Sequence, residues 1–222
     1  MFPSGRTPRT IRGGLLAGLR MQVDFAHETQ RWLGLQEREI HGLLRRFSEG
    51  IRTAVDVGAS DGMYTLYFLA RTPAQKVLAF EPCSERLSLL KANLALNHLE
   101  DNQRLEMVPK FVRASLGADS VTLDSFAPSI VPPCLVKVDV EGGEAELLRG
   151  APSLLGWRGM RWIIEVHSKD LEEECIEILR AAHYRTQIVP NAWWRAVVPE
   201  LRPLELNHWL VAVQENLHVA AG

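Results

Sequence analysis

The run Thr53-Ala-Val-Asp-Val-Gly-Ala-Ser-Asp-Gly62, followed by a second apolar strand Lys76-Val-Leu-Ala-Phe-Glu81, constrains this chain more than any other feature. The first strand closes on Asp56 and enters a loop in which Gly58 and Gly62 permit a tight turn and a close backbone approach. A helix beginning near Tyr64 would aim its N-terminal amides at whatever the loop holds. Glu81 falls about 20 residues past the loop, at the end of the next strand, where an acid accepts both hydroxyls of a ribose. The pattern describes an adenosine-type pocket on an α/β sheet, although any strand-to-helix turn could supply the loop alone.

The glycine spacing narrows the nucleotide. A dinucleotide fingerprint needs G-x-G-x-x-G, and the corresponding positions here are Gly58, Ser60 and Met63. A Walker loop needs Lys-Ser or Lys-Thr after its second glycine, and neither follows Gly62. From Asp56 the run instead reads D-x-G-x-x-x-G, the cofactor loop of S-adenosylmethionine methyltransferases. A cationic methionyl end suits an acid-lined pocket better than a pyrophosphate does.

Further along, Leu135-Val-Lys-Val-Asp-Val-Glu-Gly-Gly-Glu-Ala-Glu-Leu-Leu-Arg-Gly150 resembles the hallmark segment of the FkbM family of methyltransferases. Asp56 to Gly62 is similar to that family's DVGAN-x-G, Ala79-Phe-Glu-Pro82 to its AFEP, and the run from Leu89 to Asn97 to its L-x-x-N-x-x-x-N. Thr122-Leu-Asp124 resembles its TLD, and Ile163-Ile-Glu-Val-His167 its I-I-E-x-H. The resemblance runs in one order from about residue 10 to 213. It departs at Ser60, where Asn is usual, at Gln36, where an aromatic commonly precedes the glutamate, and in a short segment from Val108 to Val121. The resemblance implies S-adenosyl-L-methionine held by Glu37, Asp56, Gly58, Ala59, Ser60, Gly62, Glu81, Pro82 and Asp139. It also implies O-methylation of a small-molecule hydroxyl, with catalysis assigned among His167, Asp139, Glu165 and Lys137. An N- or protein-directed methyltransferase, or a non-catalytic nucleotide-binding module, stays open as an alternative.

The implied fold is the class I methyltransferase Rossmann-like three-layer sandwich, a seven-stranded mostly parallel sheet whose last strand is antiparallel. Hydrophobic period agrees with it. Strands are expected at 53–57, 76–80, 104–108, 134–138, 161–166, 184–189 and 207–213, and helices at 63–71, 84–97, 143–149 and 171–182. Ser84 is the expected N-cap of the second of these helices. Residues 1–50 read as a leader, a strand or hairpin over 10–25 and a helix over 35–47, that packs on a cofactor-binding domain spanning 51–222. Parallel connections would place Asp56, Glu81, Asp139 and Glu165 on the carboxyl edge of the sheet, where such folds bind ligands.

Methyl transfer to a hydroxyl needs positioning and a base. Glu165 and His167, two residues apart on a strand, share a face and suit an orienting acid and a base, with Asp139 as the competing base. Each has a plainer reading, because Asp139 and Glu144 also fit as acids at a helix start, His167 as a packing residue, and Glu37 as a helix-surface glutamate. Lys137 lies in a run that reads as buried and needs a carboxylate partner to stay charged. Asp139, Glu141 and His167 would be the metal ligands of a catechol-type mechanism, but their spacing is not diagnostic and no metal is expected. Trp193, Trp194 and Trp209 form an aromatic group that reads as core or as an acceptor wall.

A formal net charge of −2 gives no electrostatic footprint for nucleic acid, and no apolar run reaches the length of a membrane span. The expectation is a cytoplasmic enzyme with no nucleic-acid or membrane partner, homodimerisation being left open. The 3 cysteines, Cys83, Cys134 and Cys175, form no C-x-x-C and read as buried free thiols.

Overall fold

The structure, a computed structural model, describes residues 5–191 and 208–214. The leader contributes β1 (Arg6–Thr10), β2 (Arg20–Asp24), α1 (Thr29–Leu33) and α2 (His41–Phe47). Next come β3 (Thr53–Val57), α3 (Met63–Arg71), β4 (Lys76–Phe80), α4 (Ser84–Ala95), β5 (Leu105–Val108), β6 (Phe111–Val112) and β7 (Ser120–Val121). The second half holds β8 (Cys134–Val138), α5 (Glu144–Arg149), α6 (Pro152–Leu155), β9 (Met160–Val166), α7 (Lys169–Ala181), β10 (Tyr184–Val189) and β11 (His208–Gln214). Seven strands form one sheet in the order β10-β11-β9-β8-β3-β4-β5. β11 runs antiparallel to both its neighbours, and the remaining pairs are parallel.

The strands β3, β4 and β8 read as nearly continuous apolar runs because both faces of the sheet are covered. Alternate residues serve alternate layers. Ala54, Val77 and Ala79 join Leu66, Phe68, Leu90 and Leu94 on one side, while Val55, Val57, Leu78 and Phe80 join Leu147, Leu154 and Leu179 on the other. The first layer is completed by the leader, whose Ile11, Leu16, Met21, Val23, Ile40 and Leu44 lie in the same buried cluster. Trp209 is fully buried there; Trp193 and Trp194 lie outside the described residues.

β1 and β2 form an antiparallel hairpin, and β2 is tied to α4 by Asn93 and to the residues just past that helix by Asn97. Asn93 Oδ1 accepts from Gln22 N at 2.7 Å, and Asn97 exchanges bonds with both Arg20 N (2.9 Å) and Arg20 O (2.7 Å). The paired asparagines of the L-x-x-N-x-x-x-N run therefore satisfy the backbone of an otherwise unpaired strand edge.

Several expected elements differ. The helix expected over 35–47 is a 3₁₀ turn over Arg38–Ile40 followed by α2, because Glu37 has φ 50°, a left-handed conformation that a right-handed helix cannot include. α1 and the four-residue α6 are too short to show a period in the sequence. Helix α4 ends at Ala95 rather than 97, and Ser84 is its first residue rather than its cap. The Ser84 hydroxyl donates to Glu85, and the N-cap position falls on Cys83. The segment after β5 is not simply irregular, since β6 and β7 pair in parallel and a 3₁₀ helix spans Leu123–Ser129. Cys134 and Cys175 are buried, but Cys83 is exposed, contrary to the expectation of three buried thiols.

Candidate active site

The loop after β3 is built by close contact with β4 and β8. Gly58 has φ 75°, and a Cβ there would lie 1.8 Å from the Asp139 carbonyl oxygen, so only glycine fits. Gly58 N and Ala59 N both donate to Phe80 O, at 3.0 and 2.9 Å. Ser60, itself at φ 51°, donates its amide to Glu81 Oε2 at 2.8 Å, and Cys83 N donates to Glu81 Oε1 at 2.9 Å. The amides of Gly58, Ala59 and Ser60 are thus spent on β4 and on Glu81. Their effect is to fix the Glu81 carboxylate at the carboxyl end of β4. Asp61 is held from the leader by an ion pair with Arg31.

A cavity of about 770 Å³ opens here. Gly58, Ser60, Glu81, Pro82, Asp139 and Phe111 are among its lining residues. Asp139 also belongs to a buried ionic cluster. Asp56, with no exposed surface, accepts from Thr65 Oγ1 at 2.7 Å and lies 3.8 Å from Lys137 Nζ. Lys137 Nζ is 3.4 Å from Asp139 Oδ2 and 4.6 Å from the centre of the Tyr64 ring. Tyr64 donates its hydroxyl to Glu37, a buried leader residue.

Burial pushes the Asp56 carboxyl above its ordinary range, with Lys137 and the Thr65 bond acting in the opposite direction. Burial alone would depress Lys137, but the carboxylates of Asp139, Asp56, Glu37 and Glu165 outweigh it and raise the ammonium's pKa. Tyr64 is raised well above its ordinary value by burial and then by Glu37. Lys137 therefore has the carboxylate partner it needs in Asp139, just past its own strand, and a second in Asp56 on β3.

At the end of β9, ligand atoms of Asp139, Glu165 and His167 all lie within 4.8 Å of one another. This trio includes Glu165 where the metal set weighed from sequence had Glu141. The acid hydrogen-bonded to His167 Nδ1 is Glu144, from the first turn of α5, not Glu165 as expected. Glu144 has no exposed surface. His167 Nε2 faces Asp139 Oδ1 at 3.7 Å and is buried without a hydrogen-bond partner, as is Asp56 Oδ1. From sequence Glu144 reads only as a helix-start acid, and no local signal marks it as the partner of His167.

The carboxyl edge thus carries Asp56, Glu81, Asp139 and Glu165 together, as the parallel register requires. The fold is the Rossmann-like methyltransferase fold. Among solved structures, the methyltransferase FkbM from Methylobacillus flagellatus matches with TM-score 0.57 and 17% identity over 72% of this chain, which spans 43% of that protein. An rRNA methylase from Streptococcus thermophilus matches with TM-score 0.55 and 13% identity, covering 80% of this chain and 96% of that one. A Streptococcus mutans protein crystallised in complex with SAH matches with TM-score 0.52 and 12% identity, covering 77% of this chain and 95% of that one. No protein-family model matches the chain, and no curated protein sequence matches it. Among the described residues, no helix is long and apolar enough to cross a membrane.

Proposed function

We propose that this chain is an S-adenosylmethionine-dependent methyltransferase that methylates a hydroxyl of a small molecule, such as a sugar or a secondary metabolite. The observation that carries the reading is the composition of the edge. Glu37, Asp56, Asp139 and Glu165 all bear on a single buried cation, Lys137, beside a cavity whose other end holds the fixed carboxylate of Glu81. Such a surplus of carboxylate favours a cationic ligand. The Gly58 contact with Asp139 leaves a backbone surface with no Cβ, against which a nucleoside can lie.

Glu81 would accept the ribose hydroxyls. Gly58, Ala59, Ser60, Gly62 and Pro82 would shape the adenosine site, and Asp139, with the buried carboxylates of Glu37 and Asp56 behind it, would face the cationic methionyl end. The bound cofactor supplies an electrophilic methyl group on sulfur with a neutral leaving group. Lys137 fixes Asp139 by its 3.4 Å contact, and the acceptor hydroxyl must give up its proton at this edge.

A formal net charge of −2 supports a small acceptor over the RNA acted on by the Streptococcus thermophilus neighbour. The test is calorimetric titration with S-adenosylhomocysteine, followed by transfer of labelled methyl from S-adenosylmethionine into a pool of hydroxylated metabolites. Binding of NAD in place of S-adenosylhomocysteine would overturn the reading, and label recovered only in RNA would overturn the acceptor.

A further inference from the structure

We propose that Glu144 and His167 form the proton-accepting pair of the site, with Glu144 the positioning residue and His167 Nε2 the base. The inference rests on the methyltransferase reading above and assigns the base within it. Three features of the geometry carry it.

Glu144 has no exposed surface, and its carboxylate is hydrogen-bonded to His167 Nδ1. An ionised carboxylate only accepts, so the bond requires the proton on Nδ1 and leaves the neutral ring's lone pair on Nε2. That nitrogen is buried and unpartnered, and it faces a second acceptor, Asp139 Oδ1, at 3.7 Å. A buried acceptor with no donor is costly, and His167 Nε2 is one. An acceptor hydroxyl brought to Nε2 supplies the missing hydrogen. Finally, Asp139 is a lining residue of the cavity, while its other oxygen is held by Lys137. That oxygen of Asp139 is thereby committed to the ammonium, while the Nε2 lone pair stays open.

In the reaction the hydroxyl proton passes to Nε2, and an oxygen lone pair forms the new bond to the methyl carbon. The pair of the breaking carbon–sulfur bond stays on sulfur, which leaves as a neutral thioether. The imidazolium that results lies between Glu144 and Asp139, both of which favour its charge, until the proton is released to water. Glu165, expected from sequence as the orienting acid, stands beside the ring without holding Nδ1, and this frees it for the charge balance around Lys137.

The test compares wild type with Glu144→Gln, Glu144→Asp and His167→Ala. Glutamine keeps the size of the side chain and so protects folding. Expected for Glu144→Gln is a fall in kcat of about 10²-fold, with acceptor KM and S-adenosylhomocysteine affinity nearly unchanged. Expected for Glu144→Asp is partial rescue. Nitrogen-15 NMR of the imidazole should show the Nδ1–H tautomer of His167 in wild type and a mixture in Glu144→Gln, a readout independent of turnover. A Glu144→Gln protein with wild-type kcat and an unchanged tautomer overturns the proposal. So does saturable Mn²⁺ binding, lost in His167→Ala, together with turnover that chelation abolishes and Mg²⁺ restores, because the Asp139, Glu165 and His167 cluster would then ligate a cation. Absence of S-adenosylhomocysteine binding in wild type would instead defeat the methyltransferase reading and leave the tautomer result standing.

Discussion

Asp56 and Lys137 stand directly opposite one another across the parallel β3–β8 pair, with 3.8 Å between Asp56 Oδ1 and Lys137 Nζ. Both are buried, so the sheet that positions the candidate site also contains its charge compensation at the second-to-last position of each strand. Removing one partner leaves the other uncompensated. Lys137→Met should cost about 3–5 kcal/mol of stability, since it strands several carboxylates at once. In a double-mutant cycle with Asp56→Asn, a coupling of about 1–3 kcal/mol is expected. Denaturant unfolding of the four proteins measures it, and additive effects would show that the pair does not interact.

The same lysine predicts a loss of stability in alkali. Its folded pKa is raised above 10.5, so the ammonium's contribution is complete below that value and disappears as pH rises through the folded pKa. Tyr64, raised well above 10.0, acts with the same sign, because the unfolded phenol ionises first. Unfolding free energy should therefore fall from about pH 10 upward. The decline should be shallower in the Lys137→Met, Tyr64→Phe double variant, as denaturant melts at successive pH values would reveal.

Gly58→Ala should damage the site more than its size suggests. The added Cβ would sit 1.8 Å from the Asp139 carbonyl oxygen at φ 75°, so β8 and the loop must separate. The backbone conformation alone costs about 1–2 kcal/mol. A lowered melting temperature and lost S-adenosylhomocysteine binding are expected; unchanged values of both would contradict the close packing.

Glu81→Ala removes the acceptor of two backbone amides, Ser60 N and Cys83 N, as well as the proposed ribose contact. Affinity for S-adenosylhomocysteine should drop by about 1.5–3 kcal/mol, the range for hydrogen bonds to a charged group. Calorimetry on the folded variant decides it. Glu81→Gln, which keeps an acceptor oxygen, should lose less.

Much of the sheet was legible in the sequence, because buried parallel strands must be apolar on both faces and glycine must stand where backbones touch. Thr53–Val57, Lys76–Phe80 and Cys134–Val138 have the bounds that their apolar runs predict, and Gly58 marks the contact with β8. Asp56, Glu81, Asp139 and Glu165 share an edge as a consequence of parallel topology, which the alternation of strand and helix already specifies. The partnerships were settled only by the tertiary structure. Nothing in a one-dimensional chain distinguishes Glu144 from Glu165 as the acid on His167, since α5 reaches the end of β9 only after the βαβ crossover has packed. The same holds for Glu37, whose left-handed backbone breaks the expected helix and brings its carboxylate to Tyr64, and for Asn93 and Asn97, whose side chains meet a strand 71 and 77 residues away. Local pattern sets the period and therefore the element. Hydrogen-bond partners across such distances depend on how the completed layers are brought together, which no local window contains.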